Sequence, residues 1–85
     1  MTTIKFYSDG GHGWGKVRRS LLVKLGIADK ISGYSYERKE YAYLEEDCDA
    51  TLLLNTLDKA GISYKIVHTH TNKRSRIRNY NCYVA

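Results

Sequence analysis

Two stretches of this 85-residue chain carry side chains suited to holding a phosphate. The first is Gly10-Gly11-His12-Gly13-Trp14-Gly15-Lys16-Val17. Gly10 and the Gly15-Lys16 pair fall at phosphate-loop spacing, but Val17 stands where a Ser or Thr would hold magnesium. A nucleotide hydrolase of that type also needs a larger parallel sheet. Two readings remain. One is a tight hairpin. In the other, the backbone amides of the Gly10–Gly15 stretch approach an anion, with Trp14 and His12 as flat rings beside it. A base stacked on Trp14 would gain about 1–3 kcal/mol. The competing role for Trp14 is core packing.

The second stretch is Lys73-Arg74-Ser75-Arg76-Ile77-Arg78-Asn79-Tyr80. On a strand, Arg74, Arg76 and Arg78 share one face and form a row of guanidinium groups matched to phosphates. Asn79 or Tyr80 would then touch base or sugar. The alternative is an edge strand whose charges discourage aggregation.

The three histidines suggest further chemistry. His68 and His70 lie two apart on a strand, so they point the same way. With His12 they would make a three-histidine metal site, but no pattern brings His12 to them, and no metal is expected. His12, His68 or His70 beside Lys16 or Arg74 would also suit a metal-free nuclease, with an acid–base pair and a cation for the phosphate. The simpler role for these residues is ligand contact at a sheet edge. The carboxylates Glu45, Glu46, Asp47 and Asp49 resemble a magnesium cluster. Capping and the dipole of the helix that follows account for them equally well.

Period-two alternation predicts strands over 3–7, 14–18, 34–37, 41–44, 63–70 and 77–84. Tyr80, Cys82 and Val84 are expected to face inward on the last. Asp9-Gly10-Gly11 makes the first hairpin turn. Ser20 is expected to cap a short helix over 21–25, stopped by Gly26, with another helical turn over 27–31. Asp47 or Asp49 starts the clearest helix, with Leu53, Leu57 and Ala60 on one face and Gly61 as its stop. The expected fold is therefore α+β: one domain over 1–85, a mostly antiparallel sheet and two helices packed on one side.

Charge sharpens the search for a partner. The chain has 14 basic and 9 acidic side chains, a net +5, with all nine acids before residue 59. Residues 59–85 carry six cations and no acid, which suggests an anionic partner. The same charges would also keep a small domain soluble. At this length only about 60–65% of the unfolded surface is buried, so self-association into a homo-oligomer is open. No apolar run is long enough to cross a membrane. The first residues do not read as a signal peptide, so a reducing cytoplasm is expected. There, Cys48 and Cys82 would be thiols, both expected to be buried.

The residues His12-Gly13-Trp14, Leu25-Gly26-Ile27, Lys30-Ile31-Ser32, Tyr34-Ser35-Tyr36 and Tyr43-Leu44-Glu45-Glu46-Asp47-Cys48-Asp49-Ala50 stand together in order. In that pattern the chain resembles a family of small uncharacterised proteins encoded by bacteriophages and prophages. The resemblance implies a setting: the host-cell cytoplasm and action against host defence. It implies no catalytic residue.

The expectation that follows is a non-enzymatic binding protein without a cofactor. It captures a phosphate-bearing ligand, a nucleotide signal or nucleic acid, through Gly11, His12, Gly13, Trp14, Lys16, His68, His70, Arg74, Arg76 and Arg78. Two alternatives stand beside it. One is an anti-CRISPR-like inhibitor that binds a host defence protein. The other is the small histidine-dependent nuclease or phosphodiesterase.

Overall fold

The computed structural model describes residues 2–84. Strands β1 (Thr2–Ser8), β2 (Gly13–Arg18), β3 (Tyr36–Arg38), β4 (Tyr41–Glu45), β5 (Tyr64–His70) and β6 (Asn81–Cys82) form one sheet, in the order β5-β1-β2-β4-β3-β6. All pairings are antiparallel except β1 with β5, which the chain reaches through the long connection carrying helix α2. The fold is the expected α+β domain with two helices.

Alternation divides the sheet into two faces. Ile4, Val17, Ala42 and Leu44 point to one side and are buried there against the helices. Helix α1 (Arg19–Lys24) contributes Leu22, and α2 (Asp49–Lys59) contributes Ala50, Leu53 and Leu57, spaced three and four apart on a single stripe. Both helices run into glycines with positive φ, Gly26 at 74° and Gly61 at 69°, where a side chain would strain the backbone. Gly15 has a different role: a Cβ there would sit 3.1 Å from the Phe6 ring.

The opposite face belongs to the aromatic residues. Trp14, Tyr43 and Ile77 form a second core, ringed by Tyr7, Tyr36, Tyr41 and Tyr80. Tyr43 and Tyr80 stack obliquely at 5.0 Å, and Trp14 meets Tyr36 edge-on at 6.1 Å.

Several expectations are corrected. Residues 77–84 do not form one strand. A short 3₁₀ helix over Arg76–Asn79 replaces most of it, and only Asn81–Cys82 pairs with β3. The Ser75 side chain accepts a hydrogen bond from the Ile77 amide and so starts that turn. Burial of Ile77 against Trp14 then folds the segment over the sheet. Tyr83, not Cys82 or Val84, faces the core, and its hydroxyl donates to the Ala28 carbonyl at 2.7 Å. Ser20 lies inside α1 and does not cap it. The helical turn expected over 27–31 is a 3₁₀ turn over Ala28–Lys30. The strand expected over 34–37 is confined to Tyr36–Arg38. Cys48 and Cys82 are exposed free thiols, not buried residues.

Two outcomes follow. Trp14→Ala opens a cavity in the second core and lowers stability by about 3–5 kcal/mol, read from the urea midpoint; an unchanged midpoint would contradict this packing. A thiol reagent such as Ellman's titrates both cysteines in the folded protein without denaturant; a burst that appears only on unfolding would contradict their exposure.

Candidate functional site

Asp9 is almost fully buried, and its carboxylate organises one end of the sheet. Oδ1 accepts the Gly11 and His12 amides, each at 3.0 Å. Oδ2 accepts the Ser75 amide at 3.0 Å. The Arg78 guanidinium closes the arrangement as a two-pronged pair, Nε to Oδ2 at 2.7 Å and Nη2 to Oδ1 at 2.9 Å. That guanidinium also lies over the Trp14 ring, 5.3 Å from its centre. Arg78, then the Ser75 and Gly11 amides, hold the Asp9 carboxyl well below the usual carboxylate range despite its burial.

The glycine turn therefore already holds an anion, and that anion is the protein's own Asp9. The Gly11 and His12 amides are spent on it, and Gly13 is buried within β2. Trp14 is 2% exposed and offers no ring face to a ligand. Arg78 is occupied. These placements remove the expected contacts at Gly11, Gly13, Trp14 and Arg78, along with the row of three arginines.

The remaining cations converge elsewhere. Where the 71–80 segment crosses the aromatic face, it leaves a concavity of about 720 Å³. Lys16 and Arg38 line it from the sheet, and Lys73, Arg74 and Arg76 from the segment. Tyr7, Tyr43 and Tyr80 supply aromatic wall. Among the described residues, no carboxylate lines it. Among the described residues, none of the five cations forms an ion pair. Two of them are oriented by aromatic rings. Lys16 Nζ sits 4.1 Å above the centre of Tyr41, and the Arg38 guanidinium lies 5.3 Å from the centre of Tyr80. Burial, and then the neighbouring Tyr80, push the Tyr43 hydroxyl up to about 12, so it adds no negative charge near neutral pH.

The histidines do not meet there. His68 and His70 share the opposite sheet face with Ile4 and Phe6, because β5 is in parallel register with β1. His68 packs near the Phe6 ring, at 5.7 Å. His70 Nδ1 lies 2.9 Å from Ser8 Oγ, and its Nε2 lies 3.2 Å from Asn72 Oδ1. His12 is exposed beside Trp14. Lys16 and the two strand histidines thus face opposite ways, so Lys16 does not join them in an acid–base arrangement. Among the described residues, no three His, Cys, Asp or Glu side chains gather as a metal-binding group. Asp49, from the acidic cluster, is buried and accepts from the Ser32 amide and from the Ser32 and Ser35 hydroxyls.

Of the residues lining this concavity, Arg38, Tyr7 and Tyr43 were not expected as contacts from the sequence, whereas Lys73 and Tyr80 belong to the basic stretch singled out there. Arg38 could be found only by noticing that Tyr36, Arg38, Tyr41 and Tyr43 share one face of a hairpin. No protein-family model matches the chain, nor does any curated protein or solved structure.

Because folding lowers the Asp9 pKa, the contribution of this group to stability is complete above the unfolded value of about 3.9 and fades as pH falls below it. Glu37, held low first by the Val84 amide and then by Arg19, acts in the same direction. Urea midpoints measured from pH 6 down to pH 2 should fall along this acid limb. Asp9→Asn should lower the pH 6 value and flatten the limb. A limb of unchanged steepness in the variant would show that Asp9 does not carry it.

Proposed function

We propose that this protein is a non-enzymatic binding protein that captures a phosphate-bearing ligand in the tyrosine-walled basic concavity. The supporting observation is the gathering of Lys16, Arg38, Lys73, Arg74 and Arg76 around one hollow that, among the described residues, no carboxylate lines. Leaving five cations together without internal compensation costs a small domain stability. A dianionic phosphate supplies the missing charge, and arginine forks grip it by two hydrogen bonds at a time. The resemblance to small phage and prophage proteins supports a counter-defence role in the host cytoplasm, with a nucleotide signal or nucleic acid as the captured ligand.

Fluorescence anisotropy with a labelled cyclic dinucleotide and with short oligonucleotides tests this. Each charged hydrogen bond contributes about 1.5–3 kcal/mol, so Arg74→Gln with Arg76→Gln weakens binding at least tenfold while the melting temperature stays close to that of the parent. Arg78→Gln behaves differently and lowers the melting temperature by several degrees, because it breaks the Asp9 pair. Unchanged binding in the double variant, or no binding of any probe, overturns the reading.

The burial of Trp14 favours one second reading. A nucleotide pocket loses its best stacking ring, whereas a basic surface pressed on an acidic host defence protein needs none. A pulldown returning one stoichiometric host protein, lost with the Arg74 and Arg76 changes, together with flat anisotropy, would establish that reading instead.

A further inference from the structure

We infer that the captured ligand is a single strand of nucleic acid, and that it runs from this concavity past Lys16 into a second basic concavity on the same side of the sheet. The inference rests on the phosphate-binding reading above and names its substrate class. The second hollow has a volume of about 520 Å³ and is lined by Lys5, Lys16, Arg18, Lys24 and Tyr41 among others. Again, among the described residues, no carboxylate lines it. Lys16 belongs to both hollows, so they adjoin.

The sheet register supplies an independent reason. Lys5 and Lys16 are directly opposed across β1 and β2, on the face that also holds Tyr7, Tyr41 and Tyr43. Like charges opposed in this way destabilise an antiparallel pair. Neither lysine forms an ion pair among the described residues, and Arg18 meets Glu40 only at the exposed rim. A line of such cations is neutralised by a line of phosphates. A lone nucleotide fills one hollow and leaves the other repulsive. A single strand bends to follow two adjoining hollows and turns its bases toward aromatic walls, whereas a duplex keeps its bases stacked away from them.

The test is anisotropy with fluorescein-labelled oligothymidylates of two, four, eight and twelve nucleotides, over a range of salt. The eight-nucleotide probe should bind at least tenfold more tightly than the dinucleotide. Lys5→Gln with Arg18→Gln should weaken the eight-nucleotide probe about tenfold and erase most of the length dependence. The salt slope should become shallower by about 1.4, because each phosphate of a single strand that the protein ceases to neutralise removes roughly 0.7. The same variant should melt within a few degrees of the parent, because it relieves the opposed pair and gives up only the exposed Arg18–Glu40 contact, so loss of binding is separable from loss of fold. Dinucleotide binding with no gain on lengthening overturns this inference and leaves the phosphate-binding reading standing. So does a duplex that binds as tightly as the single strand. A polyglutamate peptide of equal charge that binds as tightly as the eight-nucleotide probe also overturns it, in favour of an acidic protein partner. Absence of binding to every probe overturns both readings.

Discussion

The structure depends on one buried carboxylate. Asp9 ends the first strand, and its two oxygens accept from backbone amides at 11, 12 and 75 and from both prongs of Arg78. A buried ion is tolerated only when its hydrogen-bonding capacity is filled, and here it is filled from both ends of the chain. The contact turns a glycine-rich hairpin and a distant basic segment into one unit. It sets Ile77 on Trp14 and Tyr43, and so closes the second core. It also fixes the position from which Lys73, Arg74 and Arg76 face the sheet.

Asp49 repeats the device at the same end of the sheet, where β4 finishes beside the start of β2. Its carboxylate accepts from Ser32 and Ser35, and the Ser35 hydroxyl in turn accepts the Glu45 amide. That ties the loop before β3 to the end of β4 and the start of α2. In both cases an acid that looks available for metal or ligand chemistry is consumed by the fold. Among the described residues, no acid lines the tyrosine-walled hollow, so none there offsets its cations.

Much of the fold was legible in the sequence because it follows from local rules. Alternation at Ile4 and Phe6, or at Tyr41 and Tyr43, can be satisfied only by a strand with two unlike faces. The stripe at Leu53 and Leu57, stopped by Gly61, can be satisfied only by a helix. The last segment was not legible, since arginines two apart fit a strand and a 3₁₀ turn equally well. The two geometries send them to different places. A strand puts Arg76 and Arg78 on one face, whereas three residues per turn separates them by about 240°. That separation is what allows Arg76 to line the hollow while Arg78 reaches Asp9. The deciding interaction spans 69 positions, between residues 9 and 78, and no local pattern reports it. The fate of the glycine amides follows from the same ion pair, as does the burial of Trp14 beneath Arg78.

Consuming the backbone amides has a consequence for recognition. Amides held in a rigid turn fix the orientation of a bound phosphate and are insensitive to neighbouring side chains. Here that role is taken internally, so an external anion meets only lysine and arginine side chains, steadied in part by Tyr41 and Tyr80. Side-chain cations at an open surface are screened by salt, and they tolerate variation in where each phosphate falls. Such a surface suits a repeating anion better than a single, sharply defined one. The tyrosines then do two jobs at once: they hold the cations in place without neutralising them, and they give the hollow an apolar wall against which a base can lie.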